Sequence, residues 1–157
     1  MNQVQLTESS KMSDQDIINQ AMEILEARLH KPEFLIRQMD DASSYLKLQF
    51  EGLEYESFRV MYLDNQHGLI KMREMFRGTI NSAKVYPREV VKAALHFNAA
   101  AVILTHNHPS GKKEPSPSDK EITRQLATAL NLVDVRVIDH IIVGGNDTFS
   151  FAQNGLL

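Results

Sequence analysis

A short apolar run near the middle of the chain constrains the fold more than any other feature of the sequence. The residues from Ala99 to Thr105 include no charged side chain, and a segment rich in proline, glycine and lysine follows them. A run of this length is better explained as a β-strand buried on both faces than as a helix. The sequence therefore predicts a strand inside the core.

Four segments carry apolar side chains at helical spacing. In the first segment, Ser13 or Asp14 is the expected N-cap, and Pro32 ends the helix. A proline fits the first turn of a helix, which favours a start of the third helix at Pro87. We predict helices that begin at Asp14, near Ser43, at Pro87 and at Ser118, of which the second ends at Phe50 and the fourth at Leu130.

The remaining patterned segments are typical of strands. Residues 56–64 alternate in polarity, with Phe58, Val60 and Tyr62 on one side. A turn at residues 65–68 predicts a hairpin to a second strand. We predict strands over residues 69–76, 133–143 and 148–151, with extended chain over 78–85, a loop over 106–117 and a turn at 144–147. Because strands and helices alternate, the sequence predicts a mixed α/β fold with a central sheet.

The composition excludes several classes of function. The chain has 157 residues, which suits one domain, and its formal net charge of −3 provides no global positive field for nucleic acid. It has no cysteine, so a bound metal must be held by nitrogen and oxygen ligands. No apolar run approaches the roughly 20 residues needed to span a bilayer, so we expect a cytoplasmic protein without a membrane partner.

The residues best suited to bind a metal lie just after the apolar run. Residues two apart in an extended chain project to the same face, so His106 and His108 can direct two imidazoles to one point. Ser116 and Pro117 are typical of a helix start, which would place Asp119 in the first turn, near the histidines. Two nitrogens and one carboxylate predict a three-ligand zinc site with an open fourth position. A His-x-His pair and a Ser-x-x-Asp cap are each common by chance, but here the two occur in order after a buried strand.

These residues resemble the signature of the JAMM/MPN+ zinc metalloproteases, also called the JAB domain. The matching pattern has His106-x-His108-Pro109, six intervening residues, Ser116, two further residues and Asp119. The surrounding sequence is closest to the RadC-like branch, over residues 51–157. Its matching segments are residues 58–64, 78–81, 85–90, 106–111 and 139–140. Asn107 departs from the serine or threonine that is common between the two histidines in eukaryotic members.

The resemblance implies a fold, a metal and a reaction. The fold would be a three-layer α-β-α sandwich with a mixed central sheet, similar to that of the cytidine deaminases. It would comprise residues 34–157, preceded by a tail and helix over residues 1–33. Zinc would bind His106, His108 and Asp119, and a glutamate would act as general base on the zinc-bound water. Glu56 matches that glutamate, with Glu54 and then Glu89 as alternatives.

The resemblance also implies hydrolysis of an amide or isopeptide bond in a protein or peptide substrate. In the family, the serine that matches Ser116 is placed to stabilise the oxyanion of the tetrahedral intermediate. The alternative is a zinc-binding accessory protein, without catalysis, associated with DNA repair or a protein partner. A basic stripe at Lys84, Arg88 and Lys92 motivates DNA as a partner, although such charges are usually solvated surface. Deaminase chemistry is set aside because it needs cysteine ligands.

The other histidines have simpler interpretations. His30 and His67 are expected at the surface, and the helix dipole accounts for His96 near a helix C-terminus. We interpret His140, which follows Asp139 in a β-rich segment, as a hydrogen-bonded core histidine. Its alternative role is to orient a metal ligand.

Overall fold

The fold is described by a computed structural model, which covers residues 12–29, 36–37, 39–78 and 85–157. Over this part of the chain, four α-helices and five β-strands follow one another. The helices are α1 (Asp14–Leu29), α2 (Met39–Phe50), α3 (Pro87–His96) and α4 (Pro117–Asn131), and the strands are β1 (Ser57–Leu63), β2 (Leu69–Arg77), β3 (Ala101–His108), β4 (Arg136–Gly144) and β5 (Asp147–Ser150). No helix in these ranges is long and apolar enough to cross a membrane.

The apolar run forms a buried strand, as predicted, and this strand is the middle one of the sheet. The strand order is β2-β1-β3-β4-β5; β3 and β4 are parallel, and the other neighbours are antiparallel. Every residue of β3 from Ala101 to Asn107 is buried. A mixed sheet of this kind needs cover on both faces, because its central strand has no solvated side.

Helices provide that cover and make three layers. Phe58, Val60 and Tyr62 of β1 pack with α3 and α4 on one face of the sheet. Met61 and Leu63 point the other way and pack with α2. The sequence therefore predicted one buried side of β1 correctly, but both sides are buried. Burying a large apolar side chain contributes about 1.5–3 kcal/mol to stability, so both faces hold the layers together.

The start of helix α1 follows the capping rules. The Ser13 hydroxyl oxygen accepts from the amide N–H of Asp16 at 3.2 Å, and the Asp16 carboxylate accepts from the amide N–H of Ser13 at 3.0 Å, so Ser13 caps α1. Helix α2 begins at Met39, earlier than the predicted start near Ser43. The prediction was wrong here because the acidic residues in the first turn of α2 favour a helix N-terminus. The predicted end of α1 at Pro32 and the extended chain at residues 79–84 lie outside the described residues.

Strand β3 extends further than the sequence predicted. The loop was expected to begin at His106, but β3 continues through His108. Residues 106–108 pair with Ile142 to Gly144 of β4, and His106 also pairs with Phe58 of β1. These ladder contacts, made with strands far along the chain, keep the histidines in extended conformation. Both imidazoles are therefore held on a strand rather than on a loop.

Candidate metal centre

The end of β3 and the start of α4, which carry the three predicted metal ligands, lie close together. His106 and His108 lie at the C-terminal end of β3, two positions apart, and Asp119 lies in the first turn of α4. His106 continues the face of β3 that carries Val102 and Leu104 towards α3 and α4. The loop between His108 and Ser116 returns the chain, so that the start of α4 faces the two imidazoles.

The donor atoms of these residues form one compact cluster. Nε2 of His106 lies 3.0 Å from Nε2 of His108 and 3.1 Å from Oδ1 of Asp119. Nε2 of His108 lies 3.4 Å from Oδ2 of Asp119. Glu56 joins the cluster, with Oε1 at 3.9 Å from Nε2 of His106. One donor atom from each of the four residues lies within 4.8 Å of the others, and such a group can hold a metal ion.

Asp119 is fixed as an ionised carboxylate at the helix start. Its side chain is 1% exposed. Oδ2 accepts from the Ser116 amide N–H at 2.7 Å, and the Ser116 hydroxyl accepts from the Asp119 amide N–H at 3.1 Å. Burial raises the pKa of Asp119, but its contacts with the imidazoles of His106 and His108 more than offset this effect and hold the pKa well below its usual value. The predicted cap at Ser116 thus shapes the cluster by holding one of its carboxylates.

His108 is oriented by the loop that follows β3. Its Nδ1 donates to the carbonyl oxygen of Lys112 at 2.7 Å, which leaves Nε2 on the side of the cluster. The hydrogen bond to Asp119 raises the pKa of His108, against the opposing effect of burial. The ring therefore reaches the cluster with one nitrogen and the loop backbone with the other.

His106 contacts a buried histidine behind it. Nδ1 of His106 lies 2.8 Å from Nε2 of His140, and Nδ1 of His140 lies 2.6 Å from the hydroxyl oxygen of Thr123. Burial holds the pKa of His140 well below its usual value. His140 is thus both the hydrogen-bonded core histidine and a neighbour of a cluster residue, so the two interpretations made from the sequence are compatible. Sequence reasoning missed Thr123, although its position one helical turn after Asp119 could have indicated it.

Asn107 holds the backbone on either side of Glu56 and so keeps Glu56 in the cluster. The Asn107 side-chain oxygen accepts from the Ser57 amide N–H at 2.7 Å, and its side-chain nitrogen donates to the Tyr55 carbonyl at 2.9 Å. These two contacts fix the backbone on both sides of Glu56, whose side chain is 14% exposed. Glu54, the first alternative from the sequence, is exposed and lies outside the cluster.

The other singled-out residues lie away from the cluster. Glu89 is exposed near the start of α3, together with the exposed Arg88 and Lys92. His96 lies at the end of α3, as expected, and is exposed. His67 was expected at the surface and is half-buried. Lys84 and His30 lie outside the described residues.

Comparison with known proteins agrees with this architecture. A family model described as the RadC-like JAB domain matches residues 36–156. The UPF0758 protein YkfG of Escherichia coli K12 is 52% identical over 144 residues, which cover 92% of this chain and 91% of the relative. The UPF0758 protein YeeS of the same strain is 51% identical over 144 residues, covering 92% and 97%.

A longer relative shares the same region. A UPF0758 protein of Pseudoalteromonas translucida is 64% identical over 113 residues, which cover 72% of this chain and 50% of the relative. None of these three names states an enzymatic activity. Because the family model spans most of the chain and relatives near 50% identity match it over nearly their whole length, this protein belongs to the RadC-like JAB domain family.

Proposed function

We propose that this protein is a zinc-dependent hydrolase of the JAMM metallopeptidase type, which cleaves an amide or isopeptide bond. The observation that carries the proposal is the convergence of His106, His108 and Asp119 with Glu56, which lies just before β1, about fifty residues earlier in the chain. Three metal ligands with a carboxylate beside them are the parts that metal-assisted hydrolysis requires.

The donor set and its spacing fit tetrahedral zinc. Zinc binds imidazole nitrogen and carboxylate oxygen at about 2.0–2.1 Å, so neighbouring ligand atoms of a tetrahedron are about 3.3–3.4 Å apart. The three distances among His106, His108 and Asp119 are 3.0, 3.1 and 3.4 Å. A small outward shift of the side chains would bring the two shorter distances to this value, and a zinc ion held by these three residues would have room for a water.

The metal and the protein groups around it would then have separate roles in hydrolysis. When bound, zinc lowers the pKa of a coordinated water to about 7 and polarises a carbonyl group. The Glu56 carboxylate would accept the proton of the attacking water and deliver it to the leaving amine. Its low exposure strengthens its electrostatic interactions, since little water screens it.

Ser116 is proposed to stabilise the developing oxyanion. Its hydroxyl oxygen accepts from the Asp119 amide, which leaves the hydroxyl proton as a possible donor to substrate. A positioned donor of this kind typically contributes about 3 kcal/mol to the lowering of the barrier. Ser116 would therefore have a structural role as a cap and a chemical role as a donor.

The substrate is proposed to be a peptide or protein that enters a cleft beside His108. This cleft has a volume of about 180 Å³ and lies between the end of α2, the loop after β3 and the β4–β5 turn. Its walls include Phe50, Leu53, Pro109 and Asn146. The cleft is large enough for a single side chain next to the bond that is cleaved.

Metal analysis combined with a peptide-library cleavage screen tests the proposal. We expect one zinc per chain and cleavage by the wild-type protein. Glu56→Gln should retain zinc and lose at least about 100-fold in kcat, because a general base contributes about 10²–10⁴-fold. Glu54→Gln is the matched control and should retain full activity.

Two outcomes would contradict the proposal. Unchanged turnover in the Glu56→Gln protein would remove the role assigned to that residue. Absence of zinc and of any cleavage, together with salt-sensitive DNA binding that survives loss of both His106 and His108, would favour the accessory function instead.

A further inference from the structure

A continuous line of buried contacts joins Asp119 to His106 through the protein interior. The Thr123 hydroxyl lies 2.5 Å from the backbone carbonyl oxygen of Asp119 and 2.6 Å from Nδ1 of His140. Nε2 of His140 lies 2.8 Å from Nδ1 of His106. His106 and His140 are 0% exposed and Thr123 is 2% exposed. Two residues of the metal cluster are thus linked by two residues outside it.

The direction of each hydrogen bond in this line follows from the one before. A carbonyl oxygen only accepts, so the Thr123 hydroxyl must donate its single proton to Asp119. The hydroxyl oxygen can then only accept from His140, which places the proton of His140 on Nδ1. His140 is fully buried and faces a hydroxyl and an imidazole, so it is neutral and its Nε2 carries a lone pair. That lone pair accepts from Nδ1–H of His106.

We propose that Thr123 and His140 form a positioning relay that fixes the proton of His106 on Nδ1 and so presents the Nε2 lone pair of His106 to the metal. The relay lies beyond the roles proposed for Glu56 and Ser116, and it rests on the proposed zinc site. It belongs to the protein itself and exists before the metal binds.

The packing around His140 keeps the relay in place. The His140 ring stacks on Phe151, with ring centroids 4.7 Å apart, and contacts the edge of Phe58 at 5.7 Å. These apolar neighbours offer no alternative hydrogen-bond partner. If the Thr123 hydroxyl were lost, Nδ1–H of His140 would be buried without an acceptor, which favours the other tautomer. His140 would then donate from Nε2 to His106, and His106 would carry its proton on the side of the metal.

Zinc affinity of two matched variants tests this inference. Thr123→Val keeps the shape of the side chain and removes the hydroxyl, whereas Thr123→Ser keeps the hydroxyl. We expect Thr123→Val to bind zinc about 10–100-fold more weakly in a chelator competition, the usual effect of losing a group that orders a metal ligand. Thr123→Ser should retain wild-type affinity. Equal affinity of the Val variant and the wild type would overturn the relay, since a packing role needs only the shape.

The tautomer of His140 provides a second measurement, on the wild-type protein. Nitrogen-15 NMR of the imidazoles should show His140 neutral and protonated on Nδ1, with or without zinc, and protonated on Nε2 in Thr123→Val. A wild-type His140 that carries its proton on Nε2 would overturn the relay even if the Val variant failed to fold. If the wild type bound no zinc, the proposed hydrolase would fail, and the His140 tautomer would still decide the relay.

Discussion

Gly144 lies directly against the backbone of Lys112. A methyl group on Gly144 would lie 2.6 Å from the Lys112 carbonyl carbon and 2.8 Å from its oxygen, closer than side-chain carbons approach a backbone. The same carbonyl oxygen accepts from Nδ1 of His108. The absence of a side chain at residue 144 therefore allows the loop after β3 to pack on β4 and orient a metal-cluster histidine.

Replacing Gly144 with alanine should weaken metal binding. The added methyl group would displace the Lys112 carbonyl, and His108 would lose the acceptor that holds its Nε2 towards the cluster. We expect zinc affinity to fall about tenfold or more, measured by chelator competition. Gly52→Ala is the control, since a methyl group there meets nothing within 4 Å although φ is +72°. It should cost about 1 kcal/mol of stability and leave zinc affinity unchanged. An equal loss of affinity in both variants would contradict the explanation.

Replacing Asn107 with leucine should lower turnover without removing the metal. The Ser57 amide and the Tyr55 carbonyl would lose their partner, and Glu56 between them would shift. We expect kcat to fall about 100-fold, as for a misplacement of about 1 Å, while zinc content stays at the wild-type level. Thr105→Val is the matched control, because it removes another buried side-chain hydrogen bond from β3, the one to Ile141. A similar fall in kcat for both variants would point to general destabilisation.

The metal-free protein should lose stability as the pH rises through the neutral range. The pKa of His108 is raised in the folded state, mainly by its hydrogen bond to Asp119, above a usual value of 6.5. Its contribution is fully present below that value and disappears as the pH passes the folded-state pKa. Urea titrations of chelator-treated protein at several pH values measure the free energy of unfolding. The difference between the wild type and His108→Gln should shrink with rising pH. A difference that stays constant would show that the interaction with Asp119 is absent.

Narrowing the cleft beside His108 should lower kcat/KM for the substrate and leave zinc affinity unchanged. Asn146 is exposed at the rim of the cleft in the β4–β5 turn. Asn146→Trp should lower kcat/KM for a cleaved peptide by about tenfold, because a bulky ring would compete for the space of one side chain. Zinc affinity should be unchanged. The control Leu132→Trp changes a residue that is 82% exposed, outside this cleft, and should have no effect. Equal kcat/KM in the Asn146→Trp protein and the wild type would place the substrate elsewhere.

Local patterns in the sequence determined the types of elements and the meeting of the three predicted ligands. The buried strand at Ala99 to Thr105 and the helix start at Ser116 are encoded by neighbouring residues, through side-chain polarity and capping. His106, His108 and Asp119 lie within fourteen consecutive residues, so a strand end, a turn and a helix start suffice to bring them together. The family resemblance added Glu56, which spacing alone does not indicate.

The tertiary structure decided which distant residues surround the three predicted ligands. The antiparallel pairing of β1 with β3 sets Phe58 opposite His106 and thereby brings Glu56 to the cluster. The parallel pairing of β3 with β4 brings His140 behind His106 and Gly144 beside His108. Strand pairing depends on contacts between residues that are tens of positions apart in the chain. The local periodicity of the sequence does not indicate which strands become neighbours. For the same physical reason, the end of β3 at His108 could be found only in the folded chain.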